Sequence, residues 1–261
     1  GLGIQQRPLP LVNHGMFHSG ATVAQGVGEQ RSATHAPHHQ HPLAVDVRTL
    51  QAIQRQSAAP ARLTVGIADA VPKDLAKRLL GPAISSTDPV HFICREDKAD
   101  QLLADLAANR LDLVLGDAPV GASVHVRGRN FLLAEGNICF LAAQPLAQEL
   151  EPGFPRSLDA APLYMPSDAV AARSDLLEWF QRQHLHPEIL AEFDDLATMA
   201  SFAASGRAAF PASSLVEQEL CEEYNVEVIG RTRVVQRFYA VTTEQRLQTP
   251  VVSAICRQRP L

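Results

Sequence analysis

Four carboxylates stand where short apolar runs of this chain end. Asp69 and Asp117 follow the first and third such runs, and Asp194 and Asp195 follow a later one. Hard cations prefer oxygen ligands, so four carboxylates around one cleft would suit such a cation. The competing interpretation is that these residues cap helices or carry solvated charge in loops. The arrangement of the elements that carry them decides between the two.

Apolar runs alternate with amphipathic segments between residues 63 and 119. The runs at 63–67, 90–94 and 111–115 are short and rich in Val, Leu and Ile, which is typical of strands covered on both faces. The segments at 71–84 and 98–110 separate these runs, and the second places apolar side chains three and four residues apart. This alternation predicts βαβ units in a parallel sheet.

The second half of the chain repeats the alternation of strands and helices. Strands are predicted at 163–166, 188–194, 208–212 and 226–230, and helices at 168–183, 195–205 and 213–224. Asp168 is the expected N-cap of the first of these helices, and Ser213 or Ser214 is the expected N-cap of the third.

Two further segments predict connections between the halves. FLLAEGNICFLAA at 131–143 is two apolar runs broken at Glu135, which favours a strand that bends and leaves the first sheet. RFYAVTT at 237–243 and a short helix at 249–256 are expected to return to it. A strand leaving near 133–137 and one returning near 231–238 would make a two-stranded hinge with a cleft beside it.

These elements predict an α/β fold with two lobes. The first lobe is expected to span about 62–133 and 237–261, and the second about 134–236. Residues 46–61 predict the end of a helix and then a linker, because apolar residues recur every three positions before Pro60. Residues 1–45 hold six of the ten histidines and keep no regular period, which predicts disorder.

The candidate site lies where the turns of both lobes would face each other. Ligands of open α/β sheets bind beyond the carboxyl ends of the strands. Backbone N–H groups before the helix that starts near Pro72 could also hold a carboxylate or phosphate. The candidate ligand-binding residues are Asp69, Ala70, Val71, Asp117, Ala118, Glu135, Asp194, Phe210 and Pro211. All are assigned to binding and none to catalysis.

The motifs of catalysis and of cofactor or metal binding are absent from the sequence. There is no GxSxG, HExxH or Walker loop, so we expect neither an enzyme nor a cofactor. The histidine-rich tract at 35–41 lacks cysteine or carboxylate partners, and His184 and His186 stand at a predicted helix end, so no metal site is expected. The cysteines form no CxxC pair and are expected to be buried, reduced thiols: Cys94, Cys139, Cys221 and Cys256.

Charge is unevenly spread along the chain. The net charge is +2 for residues 1–61 and −7 for residues 62–261, which together give −5. Phosphates repel an acidic surface, so the folded region is a poor candidate for direct contact with nucleic acid. The start lacks a signal-peptide pattern and no apolar run reaches membrane-spanning length. We therefore expect a cytoplasmic protein with no membrane partner.

Several phrases of the sequence resemble the effector-binding domain of LysR-type transcriptional regulators. LDLVLGDAP at 111–119, EFDDLATM at 192–199 and GRAAFPA at 206–212 carry most of the likeness, which covers about 46–256. Within the family, the chain is most similar to sodium-responsive activators of sodium/proton antiporter genes. The resemblance implies a periplasmic-binding-protein-like fold of type II with a ligand cleft, and a homo-oligomer, either a dimer or a tetramer.

The resemblance also implies an N-terminal helix-turn-helix that reads promoter DNA and a long dimerising helix behind it. Residues 46–57 resemble the end of that helix. Residues 1–45 lack the alternating Ala/Leu pattern with a Ser/Gln turn that a helix-turn-helix needs. We therefore expect a regulator without its DNA reader, with promoter DNA as a partner only if the intact protein carries one.

Effector sensing is the function that these observations favour. An activator of this kind would respond to sodium or to a small ligand in the cleft by a shift between lobe arrangements. One alternative is a stand-alone solute-binding protein of a transporter, which would need a secretion signal or a lipidated cysteine. Others are an enzyme on the same scaffold, which would need a clustered acid–base pair, and a truncated or frame-shifted regulator without DNA-binding activity.

Overall fold

The structure is a computed structural model that describes residues 61–85, 90–121 and 128–261. These residues belong to one compact unit, Ser57–Leu261. The predicted disorder of 1–45 and the predicted helix end at 46–57 lie outside the described residues.

The first lobe opens with the predicted alternation. Its elements are β1 (Ala61–Ala68), α1 (Lys73–Ile84), β2 (Val90–Asp97), α2 (Ala99–Ala107) and β3 (Leu113–Gly116). β1 pairs in parallel with β2 and with β3, so that Val65 lies between Cys94 and Leu113. The βαβ units predicted from the sequence are confirmed. They bring the carboxyl ends of β1 and β3 to one edge of the sheet.

Two long antiparallel strands run through both predicted lobes. They are β4 (Gly128–Ala143) and β8 (Val226–Thr243). The strands predicted at 226–230 and 237–243 are parts of one continuous strand. The predicted pair of crossing strands near 133–137 and 231–238 is confirmed, since Ala134–Asn137 pair with Val235–Phe238. These strands therefore belong to one hydrogen-bonded sheet of six strands, in the order β2-β1-β3-β8-β4-β7. Register shifts interrupt the β4–β8 pairing at three places, and one of them lies beside Asn137, in the region of the predicted bend.

The second lobe holds the remaining strands and most of the remaining helices. They are α3 (Gln144–Leu150), β5 (Pro162–Pro166), α4 (Ala172–Gln183), β6 (Glu188–Phe193), α5 (Leu196–Ala203), β7 (Phe210–Ser213) and α6 (Glu217–Tyr224). β5 and β6 form a parallel two-stranded sheet. The predicted alternation is thus confirmed here too. The lobe boundaries fall within β4 and β8 and stay a prediction.

Local capping matches the sequence in one place and departs from it in another. The Ser213 hydroxyl accepts a hydrogen bond from the N–H of Leu215 at 3.4 Å, at the short 3₁₀ turn before α6, as predicted. Asp168 was expected to cap α4, but that helix begins four residues later, after Ala171. Asp168 instead lies 2.8 Å from Nε of Arg173, because the guanidinium offers a fixed charge where the helix N–H groups are out of reach.

The chain end returns to the first lobe through α7 (Glu244–Leu247) and α8 (Pro250–Arg257). Val252 and Ile255 of α8 are buried in the core of that lobe. The N–H of Leu261 donates to the carbonyl oxygen of Leu133 at 3.0 Å. None of the helices in the described ranges has the length and apolarity needed to span a membrane.

The buried apolar side chains form two clusters. The larger one gathers β1, β3, α1 and α2 with parts of α5, β7 and β8. The smaller one lies around Phe140, whose ring packs against Trp179 and Phe180 at centroid distances of 5.8 and 5.9 Å. Position 230, next to this cluster, requires glycine, because a Cβ atom there would lie 2.4 Å from the Phe154 ring. The sheet between these clusters is therefore packed on both faces.

Strand β2 departs from the prediction of full coverage. In the described part of the chain it stands at one end of the sheet and pairs with β1, and most of its side chains are exposed. Cys94 on this strand is exposed, so the prediction of a buried thiol was wrong there. Cys139 and Cys256 are buried as predicted, and burial raises the pKa of each thiol to about 12. Cys221 is half-buried.

Candidate functional site

A small cavity lies between the strand-end turns of the two lobes, and we call it the cleft cavity. Its volume is about 40 Å³, enough for about three water molecules. From the first lobe it is lined by Ala70 and Pro72, which lie between β1 and α1. The larger part of its wall comes from the second lobe and is mainly apolar: Pro166, Val170, Leu176, Phe193, Leu196, Met199 and Pro211.

The two crossing strands complete the cleft cavity. Ile138 of β4 and Gln236 of β8 line it, together with Ser213 at the end of β7. Ile138 is buried and stands opposite Ser213 in the β4–β7 pairing. A movement of the lobes about these strands would change the shape of the cavity, because both strands belong to its wall.

The turn after β1 is ordered by its own backbone. The N–H of Val71 donates to the carbonyl oxygen of Ala68 at 2.8 Å, which closes a tight turn and places Ala70 at the cavity. Pro72 follows at the N-cap of α1. Asp69 does not cap α1, since no side-chain hydrogen bond caps this helix.

Asp117 joins the two lobes across the cleft. Its Oδ2 accepts a hydrogen bond from the N–H of Ala171, at the start of α4, at 2.8 Å. On another side of the cleft, Arg78 of α1 donates to the carbonyl oxygen of Leu215 and lies 3.3 Å from Glu219 of α6. These polar contacts hold the lobes in the observed arrangement. The alternative of a purely solvated Asp117 does not fit this geometry.

Burial raises the pKa of the Asp117 carboxyl, and the hydrogen bond from Ala171 opposes the shift without cancelling it. A raised pKa means that the folded state favours the protonated form. The resulting stability is fully present below the ordinary carboxyl pKa of about 3.9 and is lost as the pH rises through the raised value.

We therefore expect the stability of the wild type relative to Asp117→Asn to fall as the pH rises across that window. Urea unfolding of both proteins at matched pH values measures the difference. Asp100→Asn, at an exposed position on α2, is the control for the loss of one charge. A difference that stays flat or grows with pH would contradict the burial of this carboxylate.

Asp194 and Asp195 have separate roles. Asp194 lines the cleft cavity, and its carboxylate accepts a hydrogen bond from the hydroxyl of Ser167. Asp195 is the N-cap of α5 and accepts from the N–H of Thr198 at 2.7 Å. The capping interpretation is thus confirmed for Asp195 and does not hold for Asp194.

Asp69 and Asp195 meet at two larger cavities of about 350 and 260 Å³ beside α1. Val71 lines both of them. The residues in the described ranges form no group of three or more His, Cys, Asp and Glu side chains that could hold a metal ion. The four strand-end carboxylates are accordingly distributed over the cleft rather than gathered at one point.

The structure brings only part of the predicted site together. Ala70, Asp194 and Pro211 line the cleft cavity. Phe210 is fully buried in the core, Ala118 is exposed in the turn after β3, and Glu135 lies 2.6 Å from Arg237 on the crossing strands.

Several lining residues escaped the sequence analysis. Leu176 and Met199 lie on helix faces whose spacing indicates core packing, and they contact both core and cavity. Ile138 and Gln236 lie within strands, away from any strand-end turn. The one available signal was the predicted pair of crossing strands, whose residues necessarily border the cleft.

The fold and the cleft cavity together define an α/β effector-binding domain of two lobes, built like the periplasmic binding proteins. The chain matches the family model of the LysR substrate binding domain over residues 56–258. The chain therefore belongs to the LysR family of transcriptional regulators, which are regulators rather than enzymes. This finding confirms the resemblance seen in the sequence.

Two curated relatives and several solved structures are similar to the chain. It is 32% identical over 193 residues to the transcriptional activator protein NhaR of Escherichia coli K12, and equally to that of Shigella flexneri. The alignment covers 74% of this chain and 63% of each relative, so the chain spans less than two thirds of their length.

The solved structures show the fold alone, at low sequence identity. The regulatory domain of OxyR2 from Vibrio vulnificus has a TM-score of 0.63 at 12% identity, over 76% of this chain and 93% of that domain. The regulatory domain of Synechocystis CcmR with 2-PG has a TM-score of 0.59 at 15% identity, over 77% and 100%. The effector-binding domain of QuiR with shikimate has a TM-score of 0.58 at 14% identity, over 76% and 94%.

Proposed function

We propose that this domain senses a small effector held in the cleft cavity and passes the signal on through the arrangement of its lobes. The cavity between strand-end turns of both lobes carries this proposal. An effector that binds one lobe arrangement more tightly than another shifts the population toward it.

The contacts that close the cleft suit a switch of this kind. The Asp117 carboxylate accepts one hydrogen bond from the opposite lobe, and the Arg78–Glu219 ion pair is partly exposed to solvent. Partly exposed pairs contribute about 0–1 kcal/mol each. A tenfold difference in effector affinity between two arrangements supplies about 1.4 kcal/mol. A modest preference of the effector is therefore enough to change the population of closed domains.

We favour a small organic molecule over sodium as the effector. The described residues form no cluster of three or more His, Cys, Asp and Glu side chains that could surround an ion. The cleft cavity instead offers an apolar wall with Asp194 at its edge. The relation to the activator NhaR supports transcriptional activation by the intact protein, with promoter DNA and further copies of the chain as partners in the cytoplasm.

The alternatives predict different behaviour. A solute-binding protein of a transporter would bind its ligand without any effect on transcription. A truncated or frame-shifted regulator would bind its effector and leave promoter DNA untouched. An enzyme would turn its ligand over, and family membership argues against this.

Effector binding is tested by thermal unfolding of the full chain against a library of amines, alcohols, carboxylates and phosphates. Sodium chloride is compared with potassium chloride at equal ionic strength. We expect at least one compound to raise the melting temperature by several degrees, since a ligand at 100 times its Kd stabilises by about 2.7 kcal/mol. Small-angle scattering should show a more compact or more open domain with that compound.

Two matched variants test whether the effector binds in the cleft cavity. Ala70→Leu fills the cleft cavity from the turn after β1, and Ala108→Leu adds the same bulk at an exposed position after α2. The ligand effect should vanish in Ala70→Leu and persist in Ala108→Leu. The sensor proposal fails if no compound or ion changes the melting temperature, or if the change survives in Ala70→Leu.

A further inference from the structure

We propose that the effector of the cleft cavity has a small apolar body and a hydrogen-bond-donating head group, an amine or a hydroxyl, and that carboxylates, phosphates and sulfates are excluded. This inference rests on the proposed sensing function and adds the chemical class of the ligand. Four features of the cavity support it.

Charge is the first feature. Among the described residues that line the cleft cavity, Asp194 is the one charged side chain, and Arg, Lys and His do not contribute to the wall. An anion that enters loses its hydration and gains no counter-ion, which is strongly unfavourable. It would also face the like charge of Asp194.

The helix starts at the cavity are the second feature. N-termini of helices commonly hold anions through their free N–H groups. At the start of α1 the cavity is lined by Pro72, which has no N–H, and the preceding Val71 N–H is bonded to Ala68. The free N–H groups of the first turn of α1 belong to residues outside the wall of the cavity. At the start of α4, the N–H of Ala171 donates to Asp117 of the opposite lobe. The chain's own carboxylate thus occupies the position that an anionic ligand would take.

The polar groups that remain are the third feature. The Asp194 carboxylate accepts one hydrogen bond from Ser167 and has further lone pairs for a donor on the ligand. The amide of Gln236 also lines the cavity and can donate or accept. An amine or hydroxyl satisfies the carboxylate, and an amine adds charge attraction.

Size and surface are the fourth feature. In the observed lobe arrangement the cavity of about 40 Å³ has room for about three small atoms, so a longer body enters only when the lobes move apart. Most of its wall is apolar. Leu176 and Met199 are buried, so they can contact a hydrocarbon body without loss of polar hydration. A compact branched chain fits this wall better than a polyhydroxylated ring.

Three probes with one branched hydrocarbon body separate the head groups: isopentylamine, isopentanol and isovalerate. Each is titrated into the full chain at millimolar concentration, with thermal unfolding and ligand-observed NMR as readouts. We expect the amine, the alcohol or both to bind wild type and not Ala70→Leu. Isovalerate should leave both proteins unchanged.

Asp194→Asn tells the two donor heads apart. If the charge of Asp194 recognises an amine, this variant lowers amine affinity at least about fivefold and leaves the alcohol unaffected. If wild type binds the alcohol and the amine with equal affinity, hydrogen bonding and the apolar wall account for recognition. Either result supports the proposed class.

The inference is overturned if isovalerate binds wild type as tightly as the amine and the alcohol, or if none of the three probes binds. An anion from the wider library that loses its effect in Ala70→Leu would overturn the ligand class and leave the sensing function intact. Failure of every library compound would instead remove the sensing function itself.

Discussion

Replacing Phe140 by alanine is expected to destabilise the domain by about 3–5 kcal/mol. The side chain is fully buried and packs against Phe154, Trp179 and Phe180, so its removal leaves a cavity that these rings cannot all fill. A loss of this size is a large share of the 5–15 kcal/mol typical of a folded domain. Urea unfolding followed by the fluorescence of Trp179, the one tryptophan of the chain, measures it.

Phe202→Ala is the matched control for this prediction. Phe202 lies on α5 with 56% of its surface exposed, and we expect its loss to change the free energy of unfolding by less than about 1 kcal/mol. Equal effects of the two substitutions would show that Phe140 does not organise the second core. Since Ile138 of the cleft cavity lies two residues before Phe140 on β4, this core also supports the proposed site.

Much of the fold could be predicted because hydrophobic periodicity is a local signal. The runs at 63–67 and 111–115 became β1 and β3, and the helical face at 98–110 became α2. The exposure of β2 could not be predicted in this way, because a run such as VHFIC has the same pattern at the end of a sheet as in its middle. Neighbours that are distant in sequence decide which case applies.

The candidate site could be predicted only where it follows the strand-end rule. That rule found Ala70, Asp194 and Pro211, which do line the cleft cavity. It assigned Phe210 to the same group, but this side chain is fully buried in the larger core cluster. The bond between Asp117 and Ala171 spans 54 positions of sequence, and no local pattern marks such a contact.

Replacing Asp112 by alanine is expected to destabilise the domain by about 2–4 kcal/mol. One carboxylate oxygen accepts from the N–H of Thr64 at 2.7 Å, and the other lies 3.0 Å from Arg246 of α7. The Asp112 side chain is 14% exposed, so alanine leaves a poorly hydrated N–H and a guanidinium without this partner. The returning chain end would lose one of its polar contacts, since Arg246 keeps its hydrogen bond to the carbonyl oxygen of Asn109.

Urea unfolding measures this loss, and hydrogen exchange at the Thr64 amide reports it locally. Asp112→Asn keeps an acceptor for that amide and removes the charge, so it should cost about half as much. Glu178→Ala breaks the exposed Glu178–Arg182 pair, whose loss should amount to about 0.3–0.5 kcal/mol. A Thr64 amide that exchanges as slowly in Asp112→Ala as in wild type would show that water replaces the carboxylate, and that the attachment of α7 rests on apolar packing instead.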